Sequence, residues 1–85
     1  SIPIPETATN LVKLPGLIAF ESSAPIVELV TYFLDTLPTQ GWESMTEPLE
    51  EGRAILLTYV KDEKVLRINI EQHDTGVTVE MFVGE

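Results

Sequence analysis

Three segments in the last third of the chain constrain the fold more than any other feature. Each alternates apolar and polar side chains, which predicts strands over 53–60, 64–72 and 76–83. With turns at Asp62-Glu63 and Asp74-Thr75, the apolar residues of all three strands meet on one face, and a one-residue slip would destroy this pattern. The sequence therefore predicts an antiparallel meander whose apolar rows are Ile55–Ile70–Val79, Leu57–Ile68–Met81 and Tyr59–Leu66–Val83.

A second apolar pattern, upstream of the meander, has the period of an α-helix. Ser22 or Ser23 is a candidate N-cap, Pro25 suits a first helical turn, and Pro38 cannot continue a helix. We therefore predict a helix over about 24–37. Its apolar face consists of residues spaced i, i+3, i+4, i+7, i+8 and i+11, which are Ile26, Leu29, Val30, Phe33, Leu34 and Leu37.

The remaining chain supplies a hairpin and a lead-in. Segments 10–14 and 17–22 flank Pro15-Gly16 and predict two short strands, and 42–47 predicts another, followed by a loop. Two prolines within the first five residues make 1–7 an extended lead-in or linker, which leaves 8–85 as one domain. Since the chain starts at Ser1, we expect it to be a processed or excised piece of a longer protein.

These elements predict the fold class. The order is β-β-α-β-β-β-β, and the helix stripe and the sheet face are complementary apolar surfaces. We expect a two-layer α+β domain, with one helix packed on one face of an antiparallel sheet of about four to six strands.

Trp42 is the only tryptophan and lies between the predicted helix end and the next strand. We predict that Trp42, Phe33 and Leu37 anchor the core, because tryptophan is highly buried on average. The alternative is an exposed Trp42 that stacks on a ligand.

Composition argues against several classes of protein. The absence of cysteine removes thiol catalysis, thiolate metal sites and disulfides. With a net charge of −9 and only five lysines and arginines, the chain is a poor partner for nucleic acid. No apolar run is long enough to span a bilayer, so we expect no membrane insertion by this segment.

The search for catalytic or metal-binding motifs gives no site. Asp74-Thr75-Gly76 matches the tripeptide of aspartic proteases, but it lies where the strand pairing requires a turn. His73 is the only histidine, and the acid pairs Glu50-Glu51 and Asp62-Glu63 lack the spacing of a calcium loop. We predict no catalytic, metal-binding or cofactor-binding residues and no enzymatic activity; the alternative is a carboxylate-based hydrolase.

The other face of the predicted sheet has one apolar region. Leu56, Val60, Val65 and Phe82 lie there and are candidates for contact with a protein partner, a neighbouring domain or a second copy in a weak homodimer. Two alternatives remain: the lead-in with Ile2 and Ile4 covers this region, or the region is simply exposed.

Three stretches resemble small domains of uncharacterised bacterial secreted proteins and lipoproteins. They are the lead-in IPIPETATNL, the strand-helix-L-x-x-x-G-W stretch FESSAPIVELVTYFLDTLPTQGW and the hairpin LLTYVKDEKVLRINI. The sequence departs from that pattern at Glu63, where glycine is expected, and at Phe33, the second aromatic residue. The resemblance implies a bacterial envelope or extracellular setting and no known catalytic residue.

Two functions follow as hypotheses. The first is a non-enzymatic accessory or protein-interaction module of a larger envelope or secreted protein. The alternative is a small domain that binds an apolar or lipid-like ligand in a groove between helix and sheet. An open groove beside Trp42 would favour ligand binding, whereas a filled core would favour the interaction module.

Overall fold

The computed structural model describes residues 2–85 and confirms the α+β class, with one α-helix on an antiparallel sheet. The sheet has seven strands, more than the four to six expected. In chain order the elements are β1 (Ala8–Leu14), β2 (Leu17–Ser22), α1 (Ile26–Thr36), a 3₁₀ helix (Pro38–Gln40), β3 (Glu43–Ser44), β4 (Leu49–Glu51), β5 (Ala54–Lys61), β6 (Lys64–His73) and β7 (Gly76–Gly84).

The strand order is β1-β2-β7-β6-β5-β3, with β4 also paired to β5. The N-terminal hairpin therefore extends the meander at the edge of β7, and the short strands β3 and β4 share the opposite edge. The chain passes from β2 to β3 through α1, which carries it across one face of the sheet. We call the face under α1 the inner face and the opposite one the outer face.

The meander has the register that the sequence predicts. Ile55 pairs with Ile70, and Ile70 pairs with Val79, as expected from the apolar rows. The turn at Asp62-Glu63 is made by Asp62 in the left-handed region, with φ of 56°. Aspartate tolerates this conformation better than most residues because its short polar side chain can hydrogen-bond locally, so the turn forms without glycine.

The predicted loop after β3 contains an additional strand, β4. Leu49 pairs with Leu56 and Glu51 pairs with Ala54, along the free edge of β5. All three residues of β4 are exposed, so they carry no alternation of apolar and polar side chains that sequence reasoning could detect. Long-range pairing to β5 creates this strand, and the prediction of a loop over these residues was wrong.

Helix α1 is slightly shorter than predicted at both ends. Pro25 occupies the N-cap position with extended backbone (φ −58°, ψ 146°), and no side chain caps the helix. The predicted serine caps are wrong: Ser22 Oγ accepts a hydrogen bond from the Ala24 N–H at 3.0 Å, before the helix begins. At the other end, Gly41 has φ of 90°, a conformation that favours glycine and turns the chain toward Trp42.

The core lies between α1 and the inner face. The fully buried centre includes Phe33 and Leu37 from the helix side and Ile68, Ile70 and Val79 from the sheet. Alternate residues of β6 and β7 are buried, as expected for strands with one covered face. The buried apolar residues are Phe20, Leu29, Phe33, Leu37, Trp42, Leu57, Tyr59, Leu66, Ile68, Ile70, Val77, Val79 and Met81.

The N-terminal segment, residues 2–7, contains no strand or helix, yet it contributes to the inner layer. Pro5 is buried, and Ile2 and Ile4 are partly buried against the core. Proline can be buried here without leaving an unpaired N–H, and its carbonyl accepts a hydrogen bond from the Ala8 N–H at 3.1 Å. The segment therefore does not cover the apolar region of the outer face, where Phe82 is 46% exposed.

Candidate ligand-binding cleft

A cleft separates the N-terminal segment from α1. On one side, residues 5–7 are held by the Pro5–Ala8 turn and by a 2.9 Å hydrogen bond from Ser22 Oγ to Thr7 Oγ1. On the other side, Glu28 and Tyr32 are four positions apart in α1 and so share one side of the helix, with Leu29 next to them. The two walls come from regions of the sequence that lie about twenty residues apart and meet only in the folded domain.

The cleft has a volume of about 350 Å³. This lies within the range of about 300–1,000 Å³ that is typical of small-molecule sites. Its interior is apolar because Pro5 and Leu29 are buried and Ala24 and Tyr32 are half-buried, whereas the remaining residues are exposed at the rim. The lining residues are Pro5, Glu6, Thr7, Ala24, Glu28, Leu29 and Tyr32.

The charged residues that line the cleft are all acidic. Two carboxylates, those of Glu6 and Glu28, line it, and none of its lining residues is a lysine, arginine or histidine. Burial, and to a lesser extent the nearby Glu6 carboxylate, raise the pKa of the Tyr32 hydroxyl above its ordinary value. The hydroxyl is therefore neutral at physiological pH and can both donate and accept a hydrogen bond.

A second cavity, of about 390 Å³, lies at the end of the sheet where β6 turns into β7. Polar side chains dominate its lining, but several of them already bond to one another. His73 Nε2 lies 2.9 Å from Thr78 Oγ1, and Thr9 Oγ1 donates to the Glu21 carbonyl at 3.1 Å. These groups are engaged within the protein, so this cavity offers fewer free partners to a ligand than its size suggests.

A third cavity, of about 270 Å³, lies on the other flank of α1. Ile26 and Ile55 form its apolar part, and Glu50, Arg53 and Gln72 surround them together with Gly52 and Ala54. It is smaller than the cleft and its apolar residues are only half-buried, so we regard the cleft as the better candidate.

The residues predicted to anchor the core lie in the interior. Phe33 and Leu37 are fully buried, and Trp42 is 5% exposed. The indole Nε1 is buried without a hydrogen-bond partner among residues 2–85, and the Lys61 ammonium lies 5.9 Å from the ring centroid. Trp42 lines none of the three cavities described above, so the open groove beside Trp42 that the ligand-binding hypothesis called for is not found there. The cleft lies instead between residues 5–7 and α1.

The residues considered for catalysis lie at the surface. Asp74 forms an ion pair with Arg53 at 3.4 Å, and both side chains are largely exposed. His73, on the same turn, is exposed and bonded to Thr78. Among residues 2–85, no three histidines or acids are arranged to hold a metal ion.

The four candidate partner-contact residues lie on the outer face. Leu56, Val60 and Val65 are half-buried, and Phe82 is exposed. Val60 pairs with Val65, whereas Phe82 pairs with Arg67 on one side and Leu17 on the other. The row continues to Leu14, which is 57% exposed, so the apolar region extends onto the N-terminal hairpin.

Sequence reasoning missed the cleft because it treated 1–7 as a lead-in that is either a linker or a cover for the outer face, whereas Ile2 and Ile4 pack against the core. The available signal was Ile2 and Ile4, two large apolar residues that alternate with Pro3 and Pro5. Such residues have a reason to be buried, but the sequence does not show against which element they pack.

With this geometry established, comparison with known proteins assigns the family. A family model described as START domain-like matches residues 6–76, which is most of the chain, and the protein belongs to that family. No curated protein and no solved structure matches the chain. The family description says nothing about secretion, so the envelope setting stays a prediction. No helix among residues 2–85 has the length and apolar content needed to cross a bilayer.

Proposed function

We propose that this domain binds a small, mainly apolar ligand in the cleft between the N-terminal segment and α1. The observation that carries the proposal is the cleft of about 350 Å³ with the buried residues Pro5 and Leu29 in its walls and its charged groups at the rim. An apolar interior with a few polar groups at the opening is the usual composition of small-molecule sites. Membership of the START domain-like family supports a ligand-binding role.

The construction of the cleft is compatible with ligand entry. The N-terminal segment is held by packing, by the Pro5–Ala8 turn and by the Thr7–Ser22 hydrogen bond, not by a strand ladder. Displacing the segment from α1 would therefore break no strand pairing of the seven-stranded sheet. We propose a binding role without catalysis, since Glu6 and Glu28, the two titratable acids of the cleft, are exposed at its rim.

The proposal is tested by filling the cleft. Ala24 is half-buried and precedes α1, so Ala24→Phe places a ring in the cavity without changing a strand or the helix. We expect the wild type to bind Nile red, a neutral apolar dye, saturably, and Ala24→Phe to weaken binding at least about tenfold, or about 1.4 kcal/mol. Fluorescence titration measures both affinities.

The matched control is Val27→Phe, which adds a ring of the same size at a site on α1 that is 69% exposed and does not line the cleft. This variant should bind the dye as the wild type does. Absence of saturable binding by the wild type, or equal binding by Ala24→Phe with an intact fold, would contradict the proposal.

A second candidate function, a protein-interaction module of a larger envelope or secreted protein, is favoured by the outer face. The apolar row Leu14–Leu17–Phe82 continues beside the Val60–Val65 pair, and Leu14 and Phe82 are about half exposed. Contiguous exposed apolar residues of this kind are typical of protein contacts.

Self-association through this face is measurable by sedimentation velocity. We expect a weak dimer that strengthens with salt, because the net charge of −9 opposes association at low ionic strength. The double variant Val60→Thr/Phe82→Ser should be monomeric. If the wild type is a monomer at every salt concentration, this face does not mediate contact between copies.

A further inference from the structure

We infer that the cleft discriminates by head-group charge: it accepts amphiphiles with an ammonium or a hydroxyl head group and rejects those with a carboxylate. This inference rests on the proposed binding function and goes further by naming the ligand class. The apolar walls formed by Pro5, Ala24 and Leu29 would take an alkyl chain, and the head group would lie at the rim. The charge of the rim residues therefore determines which head groups bind.

The rim carries negative charge without compensation. Glu6 lies on the N-terminal segment and Glu28 on α1, so the two carboxylates flank the opening from opposite walls. Neither forms an ion pair among the residues that the structure describes. The five basic residues of the chain, Lys13, Arg53, Lys61, Lys64 and Arg67, are all absent from the lining.

The N-terminus of α1 opposes the negative charge of the rim. The N-terminus of α1 is close to the cleft, and a helix N-terminus carries roughly half a positive charge, which favours anions. Glu28 lies in the first turn and opposes this partial charge directly. Together, Glu6 and Glu28 contribute about two negative charges against about half a positive one, so the rim stays electronegative.

Tyr32 lies where the charge of the rim acts on the inside of the cleft. Burial raises the pKa of its hydroxyl, and the Glu6 carboxylate raises it further, so the negative charge of the rim is felt at a half-buried lining group. An anionic head group beside Tyr32 would meet the same repulsion. A hydroxyl or an ammonium would not, and could bond to the tyrosine oxygen.

The experiment compares three ligands with the same ten-carbon chain: decylamine, decanol and decanoate. Each is titrated against the protein–Nile red complex at low ionic strength and neutral pH, where the amine is cationic and the acid is anionic. We expect decylamine to displace the dye at the lowest concentration. Decanoate should bind at least about tenfold more weakly than decanol, since two carboxylates repel it at short range and low ionic strength screens this repulsion little.

Two double variants separate the effect of the rim charge on ligand affinity from the effect of the net charge of the protein. Glu6→Gln/Glu28→Gln should bring the three ligands within about twofold of one another, because the substitution removes the charge that separates them. Glu63→Gln/Glu80→Gln changes the net charge by the same amount at exposed sites outside the cleft, and should keep the wild-type order.

The outcomes distinguish the two levels of the proposal. Failure of decanol to displace the dye from the wild type would overturn the binding function itself. If decanol and decanoate bind the wild type with equal affinity, the binding function stands and the charge discrimination is overturned. The charge discrimination would also be overturned if Glu63→Gln/Glu80→Gln lost it as completely as the rim variant does. In that case the net charge of the protein, and not the rim, would separate the three ligands.

Discussion

Trp42→Ala is expected to destabilise the domain by about 3–5 kcal/mol, the usual cost of removing a large buried aromatic side chain. Trp42 is 5% exposed and joins the end of the 3₁₀ helix to β3, and its backbone N–H donates to the Leu37 carbonyl at 3.2 Å. Small domains have total stabilities of the order of 5–15 kcal/mol, so this loss would remove a large share of the total. Urea denaturation measures the change.

Trp42→Phe should cost considerably less. Phenylalanine retains most of the buried apolar surface, and the substitution also removes the Nε1–H, a buried donor that lacks a partner among residues 2–85. The control is Met45→Ala, at a position three residues later that is 58% exposed, where we expect less than about 1 kcal/mol. Water-like tryptophan emission from the folded protein, or an unchanged urea midpoint in Trp42→Ala, would contradict the core assignment.

Phe33→Ala is expected to have an effect of similar size, about 3–5 kcal/mol. Phe33 is fully buried at the centre of α1, and its ring meets that of Tyr32 edge to face, with centroids 5.3 Å apart. Because Tyr32 lines the cleft, loss of the Phe33 ring should also weaken Nile red binding under conditions where the variant remains folded.

The matched control for this position is the next residue of α1. Leu34 is 41% exposed, so Leu34→Ala should cost less than half as much and leave dye binding unchanged. Equal urea midpoints for Phe33→Ala and Leu34→Ala would show that α1 does not pack on the sheet through the face described here.

The long elements could be predicted from the sequence because each carries its own period. The meander follows from alternation alone, since only one register places Leu57, Ile68 and Met81 in one row, and the structure has that register. Helix α1 follows from the 3.6-residue spacing of its apolar side chains. Its ends were less well predicted, since Ser22 bonds to the backbone before the helix begins.

The elements that the sequence did not predict depend on contacts between distant parts of the chain. Strand β4 exists because Leu49 and Glu51 pair with the open edge of β5, and no local sequence pattern predicts this pairing. Likewise, Asn10 with φ of 52° lies in the register shift of β1, which lets two residues oppose Phe20 of β2. Such features are fixed by tertiary pairing and not by the residues themselves.

The candidate site was unpredictable for the same reason. Its walls are formed by Pro5 and Glu6 on one side and by Glu28, Leu29 and Tyr32 on the other, and none of these residues forms a motif. Proline near an N-terminus usually indicates an extended linker. Here the segment packs beside α1 and forms one wall of an open cleft.

The central claim, that an apolar ligand binds between the N-terminal segment and α1, is tested most directly by mapping where decanol binds. Amide chemical-shift changes in a ¹H–¹⁵N correlation spectrum would locate it residue by residue. We predict saturable changes at Glu6, Ala24 and Leu29 and none at Phe82 on the outer face. Changes confined to Phe82 and its neighbours, or to the polar cavity around His73, with Ala24 and Leu29 unaffected, would contradict the account.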